Sequence, residues 1–159
     1  MPAKVAVALG SNLGDRHAHL DFAVIRLRSI LQDIRVSSYI ETVPVDVPGD
    51  QPPFLNGAVV GDTTVSPREL LTQLLAIEAE RGRARPFAGA ARTLDLDLVI
   101  YGDAVIDEPG LIVPHPRFRE RLFVLDPLVE IAPDLWDPVT GSTMSALRER
   151  ASIAVPAER

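Results

Sequence analysis

The chain has 159 residues, 47% of them hydrophobic and 24% charged, which fits one folded domain over residues 1–159 and excludes disorder as its main state. It contains no cysteine, so disulfides, thiolate metal sites and a cysteine nucleophile are excluded. A formal net charge of −6 speaks against a nucleic-acid partner held by a general electrostatic field.

The first strand is expected over Lys4 to Leu9, an apolar run too short for a signal segment or a membrane span, so a cytoplasmic protein with no membrane partner is expected. Gly10-Ser11-Asn12-Leu13-Gly14-Asp15 follows. It lacks the Gly-Lys-Ser/Thr ending of a phosphate loop and the G-x-G-x-x-G spacing of a dinucleotide fold, and reads as a turn into a helix. Leu20, Ala23, Val24, Leu27, Ile30 and Leu31 form the apolar stripe of that helix, with His17 and His19 solvated in its first turns. Ile34 to Ile40 reads as the second strand. The proline-rich stretch from Glu41 to Pro53 is a shaped loop or connector, and Phe54 to Val60 is the third strand, with Phe54, Asn56 and Ala58 on one side.

Ser66-Pro67-Arg68-Glu69 is a capping box with proline at the first helical position. The helix it opens buries Leu70, Leu71, Leu74, Leu75 and Ile77 and ends at Gly82. Beyond it Arg81, Arg83, Arg85 and Arg92 occur with no acid among them, around small residues and Phe87. In an acidic chain such a cluster is a local anion site or a mobile basic loop.

Arg92 to Tyr101 alternates strictly. Two residues apart on a strand point the same way, so Asp95 and Asp97 lie roughly 6.6 Å apart on one side. Leu94, Leu96, Leu98 and Ile100 take the core side. Neighbouring carboxylates repel unless a cation lies between them, and magnesium, which takes one or two carboxylates plus phosphate oxygens, would relieve that repulsion. The same alternation also describes an ordinary half-exposed strand with solvated acids; the adjoining arginines favour the metal.

Gly102-Asp103 turns the chain into two short strands at Val105-Ile106 and Leu111 to Val113. His115 stands between two prolines, and Arg117, Arg119 and Arg121 after it could line an anion site. A helix stopped by Pro133 runs from Leu125, Trp136 packs there, Ser145 to Arg150 forms a last helical turn, and residues 151–159 are frayed. The order of elements suggests an α+β, ferredoxin-like sandwich with a mainly antiparallel sheet. Helices cover one face, and the face with Asp95 and Asp97 stays open.

These residues resemble the hydroxymethyl-dihydropterin pyrophosphokinase family, which moves a diphosphate from ATP to a pterin alcohol in folate biosynthesis. The marks are Ala8 to Asp15, Phe54-Leu55-Asn56, Arg92-Thr93-Leu94-Asp95-Leu96-Asp97, Val113 to Arg117, and Pro127-Leu128-Val129-Glu130-Ile131-Ala132-Pro133, in this order and spacing. The resemblance implies that Asp95 and Asp97 hold two magnesium ions on the ATP phosphates. It implies that the pterin lies between Phe54 and Phe123 with Asn56 on its amide edge, and that Thr42, Val43 and Val45 read the remainder, with Asp95 close by. Arg83 and Arg92 would meet the phosphates, with Glu78, Arg85, Leu98, Ile112, His115 and Arg121 completing the ATP site. A monomer is the family expectation.

The chain departs from the family at Gly89-Ala90-Ala91, where members commonly carry Trp-Gly-Pro, at Gly110, where some have arginine, and at Pro116, where some have tyrosine. Two rival readings are a magnesium-dependent phosphodiesterase or nuclease, which needs more converging acids, and a ferredoxin-like binding module without chemistry.

Overall fold

In the computed structural model, which describes residues 2–42, 53–82 and 93–153, the first strand β1 runs Ala3–Ser11, two residues past the expected end. It is followed by α1 (Arg16–Ile30), β2 (Gln32–Val36), β3 (Ile40–Thr42), β4 (Phe54–Thr63), α2 (Pro67–Glu80), β5 (Asp95–Tyr101), β6 (Ile106–Glu108) and β7 (Leu111–Val113). A 3-10 turn at Phe118–Glu120, α3 (Leu122–Ile131) and α4 (Met144–Ile153) complete the described chain. No helix among the described residues is long and apolar enough to cross a membrane.

The main sheet has the order β2-β4-β1-β5, with β3 pairing β4 beside Phe54 to Asn56, and every pairing is antiparallel. This is the expected α+β arrangement, with the second strand broken in two. The break falls at Ser37, whose hydroxyl receives the Ala58 N–H at 2.8 Å and thereby replaces a ladder bond.

Val5, Val7 and Leu9 point to one side of β1 and Ala6 and Ala8 to the other, so β1 is buried on both faces. The first side packs on α1 and α2 through Leu20, Ala23 and Leu27, then Leu70, Leu74 and Ile77; each such buried leucine stabilises the fold by about 2 kcal/mol. Local chemistry sets both helix starts. Asp15 Oδ1 accepts the Ala18 N–H at 3.1 Å, and Ser66 Oγ accepts the Glu69 N–H at 3.1 Å with Pro67 at the first helical position. Leu75, expected in the stripe, is 54% exposed because it lies a quarter turn past Leu74, on the solvent side.

The second side is also covered over much of its length, where the sequence led to an open face, while Asp95 and Asp97 at one end stay partly exposed. Phe118, Val124, Leu125, Leu128, Met144 and Leu147 pack on Ala6, Ala58, Val60 and Ile100. Ile100 belongs here rather than with Leu96 and Leu98. The ladder pairs Ala6 with Ile100 but Val7 with Leu98, leaving Val99 as a bulge that shifts the alternation by one residue. Helix α4 continues to Ile153 with Ala151 buried, so the fraying expected from residue 151 does not start there. Trp136, expected to pack, is 51% exposed at a turn bridged to Thr143.

Gly57 illustrates how tightly β4 is built. A β-carbon there would lie 2.9 Å from the Tyr39 ring, whose hydroxyl donates to Asp21 Oδ1 at 2.7 Å. Gly57→Ala is therefore expected to push Tyr39 off its site and cost about 1–3 kcal/mol, lowering the melting temperature by roughly 3–10 °C. Thermal denaturation monitored by circular dichroism checks this; an unchanged midpoint contradicts it.

Candidate active site

The register of three strands assembles the site. Across the sheet, Asn56 on β4 stands opposite Gly10 on β1, and Gly10 opposite Asp95 on β5; the next row is Ala58, Ala8 and Asp97. All six lie on the face shared with Phe54. Two strand spacings separate Asn56 from Asp95, about 10 Å. Glycine and alanine at the middle positions keep side chains from filling the space between them.

Each wall of this space has a structural reason. Phe54 and Asn56 are 8% and 1% exposed, and the Asn56 Nδ2 donates to Thr42 Oγ1 at 2.7 Å, which fixes the turn of its amide. The resemblance pointed to Thr42, and the structure brings its hydroxyl to Asn56. Opposite the sheet, α3 begins with Arg121 as its N-cap residue and presents Phe123, 4% exposed. The Arg121 guanidinium lies 5.5 Å from the centre of the Phe123 ring. Burial and the Arg117 charge lower the Arg121 pKa, while Asp97, Glu120 and Asp95 act to raise it, so Arg121 lies in the field of both carboxylates.

Of the three arginines after His115, Arg121 lies in the field of Asp95 and Asp97. Arg117 pairs with Glu120 at 3.0 Å, and Arg119 makes a two-bond contact with the fully buried Asp137 at 2.6 and 3.0 Å. Glu120 thus pairs with Arg117 at the surface, and Asp137 holds Arg119 in the interior.

The other side of β5 is an edge. Glu78 on α2 reaches it and accepts the Leu96 N–H at 2.7 Å, holding the backbone between the two acids. Farther along, His115 N donates to Val99 O at 3.0 Å, and His115 Nδ1 accepts the Arg117 N–H at 3.2 Å, which makes Nε2 the donor of the neutral ring. Between β5 and β7 lies a groove of about 250 Å³ lined by Leu71, Leu98, Leu111, Ile112 and His115, with Asp97 at its border. Strand-edge amides beside an apolar slot suit a flat heteroaromatic ring. Gly110 also lines it with φ +77°, a backbone that explains glycine where an arginine side chain would be strained.

His19, expected to be solvated, is partly buried and accepts the Arg81 Nε–H on Nδ1 at 2.8 Å. Burial and then the Arg81 charge lower its pKa, which favours the neutral ring. Arg81 closes α2, and beyond Gly82 the chain leaves the described residues. Arg83, Arg85, Phe87, Arg92, Val43 and Val45 all lie outside them, so their expected roles rest on the sequence.

The Pro127 to Pro133 motif has a use the sequence did not disclose. Glu130 accepts the Ser38 N–H at 3.0 and 3.1 Å and the Ser38 hydroxyl at 2.7 Å, tying α3 to the segment between β2 and β3. The carboxylates fit magnesium by their chemistry. Asp95 and Asp97 offer hard oxygen donors on one face, and no group of three or more His, Asp or Glu side chains placed for a metal occurs among the described residues. Such a pair leaves coordination positions for phosphate oxygens.

Residues 6–133 match the family model described as 7,8-dihydro-6-hydroxymethylpterin-pyrophosphokinase. The chain is 42% identical over 146 residues to the 2-amino-4-hydroxy-6-hydroxymethyldihydropteridine pyrophosphokinase of Synechocystis, covering 91% of this chain and 74% of the relative. The Bacillus subtilis protein of the same description is 44% identical over 138 residues, covering 86% and 82%. Among solved structures, Plasmodium falciparum HPPK-DHPS, wild type with SDX-DHP, superposes with a TM-score of 0.74 at 15% identity over 94% of this chain. The chain spans 44% of that longer protein, and the likeness speaks to the fold.

Proposed function

The chain belongs to the 7,8-dihydro-6-hydroxymethylpterin-pyrophosphokinase family, and from that premise we infer that it transfers diphosphate from ATP to the hydroxymethyl group of 6-hydroxymethyl-7,8-dihydropterin, releasing AMP, in folate biosynthesis. The observation that carries the assignment of residues is the row Asn56, Gly10, Asp95 facing Phe123 and Arg121. An amide that can read a pterin edge and a carboxylate that can hold a metal stand about 10 Å apart, a distance a bicyclic ring with its hydroxymethyl arm can bridge.

In this reading Phe54 and Phe123 sandwich the pterin, Asn56 bonds its amide edge, and Thr42 to Val45 complete the contacts. Adenine enters the groove beside Leu98 and Ile112, with His115 and Glu78 on its ribose and phosphate side. Arg83, Arg85, Arg92 and Arg121 meet the phosphates, where a guanidinium offers paired donors to oxygen. Asp95 and Asp97 would hold two magnesium ions, whose chemistry would be to neutralise triphosphate charge and ease loss of the substrate hydroxyl proton. The hydroxyl oxygen bonds to the β-phosphorus as the bond to the α,β-bridging oxygen breaks; AMP leaves with that oxygen and its electron pair, and the hydroxyl proton passes to solvent water. Holding the two substrates in line and balancing charge supply the acceleration, since no side chain among the described residues stands as a strong general base. The reading takes residues 1–159 as one such domain, acting as a monomer in the cytoplasm, with no nucleic-acid or membrane partner.

Incubation with ATP, magnesium and the pterin alcohol tests it. AMP and a pterin heavier by two phosphoryl groups are expected, and chelation of magnesium stops both. ADP as the nucleotide product, or no turnover, overturns the reading.

A further inference from the structure

We propose that Arg16 is a positioning residue for the pterin pocket: one guanidinium nitrogen joins Glu41 on β3 to Pro53 ahead of β4, and so sets Thr42 and the Asn56 amide that Thr42 holds. The inference rests on the pterin reading above and deepens it. Arg16 Nη1 donates to Pro53 O at 2.7 Å and pairs with Glu41 Oε1 at 2.7 Å. An Nη nitrogen carries two hydrogens, one for each acceptor. These two partners border the stretch between Thr42 and Pro53, one from each side, and Arg16 reaches them from the first position of α1.

Strand β3 needs such a strap. It has three residues, Ile40, Glu41 and Thr42, paired with Asn56, Leu55 and Phe54. So short a strand is held weakly by its own ladder. Pro53 contributes no N–H to the sheet, and its carbonyl accepts from Arg16. Before β3, Glu130 anchors Ser38 and Asp21 anchors Tyr39; beyond Ile40, Arg16 holds Glu41 and the Asn56 amide bonds Thr42. The Arg16 side chain is 25% exposed and that of Glu41 55%, so the carbonyl bond and the partly shielded guanidinium carry the effect more than the surface ion pair does. Thr42, next to Glu41, faces the pocket and accepts the Asn56 Nδ2–H. Loss of Arg16 lets β3 shift, and with it the angle at which Asn56 meets a heterocycle.

The direct readout is the Asn56 side-chain amide in the 15N–1H spectrum of the substrate-free protein. In Arg16→Ala its two proton signals are expected to shift and draw together; signals left where they are in the parent protein overturn the proposal. Should Arg16→Ala not fold, Glu41→Gln removes the charge pair from the exposed side and, with the Pro53 bond kept, is expected to move the same signals in the same direction by a smaller amount; unmoved signals overturn the proposal. In turnover, the KM for the pterin alcohol is expected to rise about tenfold, while kcat and the KM for ATP stay within about twofold, as for misplacement of one substrate. Equal changes in both KM values indicate general loosening and also overturn it. If the parent protein transfers no diphosphate, the functional reading fails by itself, and the amide spectrum still decides the role of Arg16.

Discussion

Asp97→Asn is expected to lower turnover about a thousandfold at saturating ATP and magnesium, because a metal-holding carboxylate supports several kcal/mol of transition-state charge stabilisation. The substitution keeps the size of the side chain and leaves the backbone bond from Leu96 to Glu78 and the pairing with Ala8 in place. It removes one of two like charges on a single strand face, so the melting temperature holds or rises slightly. Opposite signs for activity and stability separate a metal role from a folding role. Steady-state kinetics beside thermal denaturation measure both, and turnover near that of the parent protein at saturating magnesium sinks the metal assignment.

Asp137→Ala is expected to have the largest effect on stability, about 3 kcal/mol or roughly 6–12 °C in melting temperature. Asp137 is fully buried and accepts from Arg119, from the Thr140 hydroxyl at 2.7 Å and from the Val139 N–H at 3.1 Å. Its truncation leaves the Arg119 guanidinium, 24% exposed, without its carboxylate and loosens the turn that delivers Met144 and Leu147 of α4 to the second core. Burial alone would raise the Asp137 pKa, but the Arg119 and Thr140 bonds outweigh it and hold the carboxyl below its usual range. A group depressed on folding contributes fully above its unfolded value of about 4 and loses that contribution as the pH falls through its folded value. The gap in stability between parent and variant is therefore expected to be widest at neutral pH and to close in acid. Denaturant melts at a series of pH values measure it, and a gap constant into strong acid contradicts the ion-pair account.

Much of the fold was legible because its signals are local. Ser66-Pro67 and Asp15 start their helices by contacts within three residues. The period of two in β5 placed Asp95 and Asp97 on one face without knowledge of any partner. Asn56 stands across Gly10 from Asp95, Glu78 accepts from Leu96 N and His115 N donates to Val99 O, contacts that join residues distant in sequence along β5. The second covered face was not legible. The apolar residues of α3 and α4 form no long stripe of their own, and they find their place by packing on the alanines of β1 and β4.

By itself, then, the order of residues determined where helices begin, which side of β5 is acidic, and the family whose marks recur at the right intervals. Tertiary structure alone decided that Ile100 turns to the second core, that Arg119 belongs to Asp137, and that Arg16 spans Glu41 and Pro53. The physical reason is distance along the chain. A helical or strand period is carried by neighbouring residues, whereas a guanidinium takes whichever carboxylate or carbonyl folding brings to it, here 18 residues away for Arg119 and 37 for the Arg16 contact with Pro53.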